Sequence, residues 1–303
     1  MTDVTLRRTQ LATPASDKGM MRSAAGSDAD EVFLDLEDSV APSAKSGARE
    51  PLIDVAQNED WSDTVLSYRI NGIDTRWWYD DVITVISEAG EHIDDIIIPK
   101  VKSASDIHTV ENLLEQVEVN HGLKVGNIGL EPQIEDGEGI HNVHEIAHAS
   151  GRLSSIIFGP GDYSAAMGTP GLDIGQFPDY PGHYWHHALS ECNSAAKSAG
   201  LPCLDGPYAD IEDPEGFRES AENANYLGCD GKWAIHPSQI EIANEVFAPD
   251  PEVADRAQRI VNAYAEAMEE GKGAVSVDGQ MVDEATNKMA QEIVVNAKAA
   301  DIL

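Results

Sequence analysis

Charged residues recur where short apolar runs end. Asp35, Glu37 and Asp38 follow "VFL", Arg69 follows "VLSY", Lys100 follows "DIIIP", and Glu135, Asp162, Asp205 and His236 close later runs. Surface ion pairs have no reason to fall at one place in each repeat, whereas a site assembled from several strand ends requires it. Glu135 and Asp162 close consecutive runs and should be neighbours. Two bare carboxylates side by side repel, and one tends to keep its proton. A divalent cation removes the conflict. Mg2+ takes oxygen ligands, keeps several waters and binds through one or two carboxylates plus substrate oxygens; Mn2+ is the alternative ion. Glu37 and Asp38 can orient metal-bound waters from behind. Arg69 can grip a carboxylate bidentately or stabilise an oxyanion; its structural alternative is an ion pair with Asp35 or Glu37.

The elements that must carry these groups alternate. Apolar runs lie near Gln10–Thr13, Val32–Glu37, Val65–Asn71, Asp95–Val101, Gly126–Glu135, Leu153–Gly159, Leu201–Pro207 and Lys232–His236. Several are apolar throughout, as strands covered on both faces must be. Between them, Ser103–Val119 spaces Ile107, Val110, Leu114 and Val117 at helical intervals behind a Ser cap, and Asp213 can cap a helix from Pro214. His183–Ala199 stops at Gly200, and Pro42–Ala56 and Pro237–Phe247 are further helical segments. Eight strand-plus-helix units predict an α/β fold, a closed (β/α)8 TIM barrel over residues 1–248, with a helical C-terminal extension over 249–303. A doubly wound open sheet would need a glycine-rich first turn, which "ATPASDKG" is not. Two helices, near Pro251–Gly271 and Glu284–Asp301, flank "GKGAVSVDGQMVD", a loop or short hairpin.

Composition limits the partners. Of 303 residues, 54 are Asp or Glu and 20 are Lys or Arg, a formal charge of −34. Such a chain repels nucleic acid and anionic membranes. The acidity is spread evenly, as on a surface built to stay hydrated at high salt, and reads as adaptation to a halophilic cytoplasm. Three cysteines without CxxC spacing fit reduced thiols, and mean hydropathy is −0.31. No apolar run approaches a membrane span, and the polar N-terminus lacks a signal-peptide core; the expected location is cytoplasmic. "HEIAH" at His144–His148 matches the zinc-protease pattern. It is short, lies between two expected barrel strands and has no third ligand at a familiar spacing, so a solvent-facing polar helix is preferred.

"VFLDLEDSVAPSAKSGAR", "YRINGIDT", "DIIIPKV", "IEDGEGI", "FGPGDYSAAMG", "PCLDGPYAD" and "GKWAIHPSQIEIANEVFAP", in that order, resemble the citrate lyase β-subunit-like (HpcH/HpaI aldolase) superfamily. Within it they are most similar to the malyl-CoA/β-methylmalyl-CoA lyases. The resemblance implies that Glu135 and Asp162 bind Mg2+, that Glu37 and Asp38 hold metal-bound water, and that Arg69 meets the glyoxylate portion. It implies that Asp283 of "MVD" is the acid/base group, set by the extension over a neighbouring subunit's site in a homotrimer or homohexamer. Coenzyme A contacts are implied for Arg8, Lys18, Arg22, Pro207 and Trp233, although "ATPASDKG" departs from the family's usual first loop. The activity implied is reversible cleavage of L-malyl-CoA or β-methylmalyl-CoA to glyoxylate and acetyl-CoA or propionyl-CoA. Its alternatives are a citryl-CoA lyase, a malate synthase-like enzyme that also hydrolyses the thioester, and a CoA-independent aldolase. A barrel used only as a scaffold is the alternative from a different class.

Overall fold

The structure, a computed structural model, describes residues 5–169 and 184–303. Its contacts divide the described residues into two compact units, Arg7–Asn244 and a second that holds Glu245–Leu303 with Thr5 and Leu6.

The first unit is a closed barrel of eight parallel strands in sequence order, the last pairing with the first. The strands are β1 (Thr9–Pro14), β2 (Glu31–Asp35), β3 (Val65–Arg69), β4 (Asp95–Ile98), β5 (Gly129–Ile134), β6 (Ile156–Phe158), β7 (Cys203–Asp205) and β8 (Gly231–Ala234). Around them lie α1 (Lys18–Ala25), α2 (Lys45–Asn58), α3 (Trp78–Ala89), α4 (Ala104–His121), α5 (Gly137–Ala147), α6 (Pro160–Met167), α7 (His186–Ala199) and α8 (Pro214–Tyr226); α9 (Ile240–Phe247) begins in this unit and ends in the second. The caps read from the sequence are in place. Ser103 and Asp106 form a reciprocal capping box on α4, Asp213 accepts from Gly216 N at the start of α8, and Gly200 ends α7 in the left-handed region. Some starts differ: α2 begins at Lys45, three residues after Pro42, and carries Pro51 inside; α7 begins at His186, the expected His183 lying outside the described residues; and a 3-10 turn, Pro237–Gln239, precedes α9. Among the described residues no helix is long and apolar enough to cross a membrane.

The barrel interior is layered. At the amino ends of the strands, the Arg7 guanidinium binds Glu31, Glu131 (2.6 Å) and Asp95 (2.6 Å), all buried. Gln10 and Ser67 donate to Glu31, and Gln10 and Ser155 to Glu131. Burial and the neighbouring Glu31 push the Glu131 carboxyl well above the usual range. Above this polar floor sits an apolar layer of Phe33, Ile97, Ile157, Leu204 and Trp233. Each such side chain contributes roughly 2 kcal/mol of burial. The upper layer is polar again and forms the mouth.

The second unit packs α10 (Pro251–Glu269) against α11 (Glu284–Ala299) through Ala257, Ile260, Tyr264, Ala290 and Val294. The segment between them is a hairpin, β9 (Val275–Val277) and β10 (Gln280–Val282), paired antiparallel. Its two-residue turn has positive φ at both Asp278 (50°) and Gly279 (79°), the conformation that matches hairpin twist.

Candidate functional site

The mouth begins at the carboxyl end of β2. The backbone turns around the Asp35 carboxylate: Glu37 N donates to Oδ1 (2.8 Å) and Ser39 N to Oδ2 (3.0 Å). That turn presents Glu37 inward and leaves Asp38 exposed. Lys45 holds it from behind, its Nζ donating to the carbonyls of Leu36 (3.1 Å) and Glu37 (2.8 Å). Arg69, the last residue of β3, is buried and laid across the same carboxylate. Its Nε and Nη2 each donate to Asp35 at 2.8 Å, while Nη1 reaches Glu37 Oε2 (3.1 Å) and Gln133 Oε1 (3.4 Å). The rings of Phe33 and Trp233 lie 5.7 and 5.3 Å beneath the guanidinium. Although burial opposes ionisation, the Arg69 charge and the donated hydrogen bonds hold Asp35 down at about 2. The ion-pair reading of Arg69 is therefore realised, with its nitrogens engaged by carboxylates and Gln133.

Glu135 follows β5 directly and is buried; its Oε2 has no hydrogen-bond partner. It lies against Gly159, where an added Cβ would meet the Glu135 Cγ at 2.6 Å. Glycine in "FGPGD" is thus what lets this carboxyl into the mouth. Burial, then the nearby Glu37 and Asp162 carboxyls, push Glu135 well up against the opposing pull of Arg69. Asp162 corrects one expectation. It does not close β6 but lies in the first turn of α6, half-exposed. Hydrogen bonding with Glu135 and Lys100 holds it low in spite of partial burial. The carboxyls of Glu135 and Asp162 are nevertheless within hydrogen-bond reach, as adjacent units require.

Lys100 connects the two sides. Its Nζ donates to Glu37 Oε1 (2.7 Å) and lies 3.1 Å from Asp162 Oδ2 and 3.8 Å from Asp38 Oδ1. A cavity of about 490 Å³ opens above, lined by Lys100, Glu135 and Asp162 with Ile73, Asp74 and Lys102 among others. Five carboxyl groups (Asp35, Glu37, Asp38, Glu135 and Asp162) thus face the cations of Arg69 and Lys100. Lys100 is among the run-closing charges of the sequence but carries no assigned role there, and Gln133 is not among them. The place after "DIIIP" marks Lys100 as a strand-end charge; Gln133 offers no such signal.

The residues expected to meet coenzyme A scatter. Arg8 precedes β1, so it lies at the amino end of the barrel, opposite the mouth, and is bound bidentately by Asp30 (2.7 and 2.8 Å). It is not a residue of this site. Trp233 faces inward on β8 in the apolar layer, only 4% exposed, and supports Arg69 from below; a ligand entering the mouth does not reach it first. Lys18 and Arg22 on α1 form exposed pairs with Asp54 and Glu59 of the α2 region. Such pairs are worth no more than about 1 kcal/mol, so a phosphate can displace them. Pro207 follows β7, half-buried. Asp283 belongs to the second unit, where it caps α11 by accepting from Thr286 N (3.0 Å) and is exposed. In "HEIAH", His144 faces Glu191 (3.5 Å) and the His148 Nδ1 is bonded to the His144 carbonyl (2.9 Å).

Comparison with known proteins agrees with this architecture. The model of the HpcH/HpaI aldolase/citrate lyase family matches residues 8–237. The L-malyl-CoA/β-methylmalyl-CoA lyase of Rhodobacter capsulatus is 41% identical over 307 residues, covering 98% of this chain and 96% of the relative. The CitE protein of Mycobacterium tuberculosis, solved with magnesium, acetoacetate and coenzyme A, is 28% identical (TM-score 0.74; 96% of this chain, 97% of that one). A citrate lyase of Burkholderia xenovorans shares the fold at TM-score 0.84 and 19% identity, over 99% of this chain and 94% of that one. A matched span that takes in all eight strands and every charged group of the mouth leaves one conclusion: the chain belongs to the HpcH/HpaI aldolase/citrate lyase family.

Proposed function

We propose that the chain is a reversible carbon–carbon lyase that splits L-malyl-CoA and β-methylmalyl-CoA into glyoxylate and acetyl-CoA or propionyl-CoA, with Mg2+ (or Mn2+) held by Glu135 and Asp162. The observation that carries the reading is the unpartnered, buried Glu135 Oε2 beside Asp162, in a mouth where carboxyls outnumber cations. That donor set is hard oxygen without sulfur or imidazole, which suits Mg2+. When bound, the ion supplies Lewis-acid stabilisation of charge on substrate oxygens.

This chain's residues do the rest. Glu37 and Asp38 would orient water beside the carboxylates that hold the ion. Arg69, fixed by Asp35, offers its Nη side to the glyoxylate carboxylate and to charge that develops as the carbon–carbon bond breaks. Asp283 exchanges the proton at the thioester α-carbon, from the extension of a neighbouring subunit in a homotrimer or homohexamer. Lys18, Arg22 and Pro207 remain the residues assigned to coenzyme A. The even acidity supports a protein of a saline cytoplasm.

The test is direct. Purified protein at high KCl with Mg2+ and malyl-CoA is expected to yield glyoxylate, trapped by phenylhydrazine, without free thiol and only when EDTA is absent. Thiol release would move the assignment to a hydrolysing malate synthase-like enzyme. Activity on citryl-CoA alone would move it to the citryl-CoA lyase.

A further inference from the structure

We infer that Lys100 is the resident counter-cation of the mouth: its ammonium competes with the divalent ion for Asp162 and thereby sets the affinity for that ion. The inference rests on the assignment of Glu135 and Asp162 to the metal. Three observations carry it.

The first is backbone. Lys100 has φ of 56°, and in the barrel unit every other described residue with positive φ is glycine. An L-residue there carries a backbone strain that glycine would not. What the position gains for this strain is a side chain whose ammonium is paired with carboxylates. The second is contact. The ammonium bridges Glu37 Oε1 at 2.7 Å and Asp162 Oδ2 at 3.1 Å, tying the β2 side of the mouth to α6. It is thus closest to one group assigned to the ion's waters and one assigned to the ion itself. The third is freedom. Arg69 is buried and laid on a fixed fork, so it cannot leave; Lys100 is 40% exposed on a flexible stem and can. When an ion takes Asp162, the ammonium can release that carboxylate, keep Glu37 and remain on the wall of the cavity it lines.

The charge that compensates the carboxylates in the metal-free mouth therefore repels the ion that replaces it. A single and a double charge about 5 Å apart in near-aqueous surroundings disfavour each other by about one to two powers of ten in affinity. Loss of the bridge between Glu37 and Asp162 takes part of this back, and about a tenfold effect should remain.

The experiment is calorimetric titration of Mg2+ into the full chain without any thioester, for wild type, K100M, K100R and K100G. K100M is expected to bind about tenfold tighter, K100R within about threefold of wild type, and K100G tighter with no loss of thermal stability because its backbone is relaxed. Equal or weaker binding by folded K100M and K100G overturns the inference while leaving the metal assignment intact. No Mg2+ binding by wild type overturns the metal assignment and the inference with it. K100G provides the charge-free comparison should K100M fail to fold.

Discussion

Replacing Asp35 with Asn asks whether Arg69 is held by charge or by shape alone. The exchange is isosteric, and Asn keeps an oxygen for one of the two guanidinium bonds and for the turn that leads to Glu37. What it removes is the negative charge. Asp35 sits at about 2 against an ordinary 3.8, a difference worth about 2 kcal/mol at neutral pH. The side chain is 3% exposed, so solvent screening does not reduce this figure much. Breaking a buried pair outright costs about 3–5 kcal/mol, but Arg69 retains Glu37 at 3.1 Å, which places the loss near the lower bound. Asp35→Asn should therefore cost about 2–3 kcal/mol at pH 7, or about 5 °C in the melting temperature of a chain of this size. The sign in acid follows from the depressed value. The stabilisation is fully present above the unfolded-state value near 4 and is lost as pH falls through 2, so the gap between variant and wild type should shrink to about half by pH 3. Thermal unfolding followed by circular dichroism at pH 7 and pH 3 measures both points. A gap of equal size at the two pH values would refute the electrostatic argument, and no gap at pH 7 would refute the fork itself. If Arg69 acts on substrate from this geometry, turnover should also fall about 100-fold, since a misplacement of about 1 Å costs that much.

The other predictions concern the remaining charges. Glu135→Gln should weaken Mg2+ binding at least about tenfold while leaving metal-free stability equal or higher, because a neutral amide suits that buried position better than a carboxylate; calorimetry and melting in EDTA check the two halves. Since the Glu135 carboxyl is pushed up, Mg2+ binding to wild type should release a proton and strengthen with rising pH, and pH-independent affinity would contradict the assignment. Arg7→Leu should cost more than about 3 kcal/mol in urea unfolding, because it leaves Glu31, Asp95 and Glu131 crowded at the barrel floor without their cation. Asp283→Asn keeps an equally good helix cap, so its melting temperature should stay within about 1 °C of wild type; Mg2+ affinity should hold while turnover drops more than about 100-fold, and normal turnover would remove Asp283 from the chemistry.

The eight strands were legible because parallel barrel strands are covered on both faces and stand out as apolar runs. The same property hid which way each side chain points. In "GKWA" both faces of β8 are buried, so the sequence offers no parity signal, and Trp233 passes for a ligand contact when it is the support of Arg69. Asp162 was found for its chemistry but misplaced by one element, since "FGPGD" turns straight from strand into helix and Pro160 at the first helical position is what starts α6. Arg8 shows a different limit. A residue just before the first strand of a parallel barrel must lie at the amino end, so topology alone excluded it from the mouth, and the resemblance outweighed a constraint already available. The floor was readable in the same way. Glu31 and Asp95 open their apolar runs and Glu131 stands near the head of its own, which marks the amino end as surely as Arg69 and Glu135 mark the carboxyl end. What no pattern could reveal is the backbone of Lys100. Its positive φ leaves no trace in residue type, because the sequence puts lysine where conformation alone would favour glycine. A residue that contradicts its local preference while answering the charge around it is where sequence reasoning fails and function is most worth seeking.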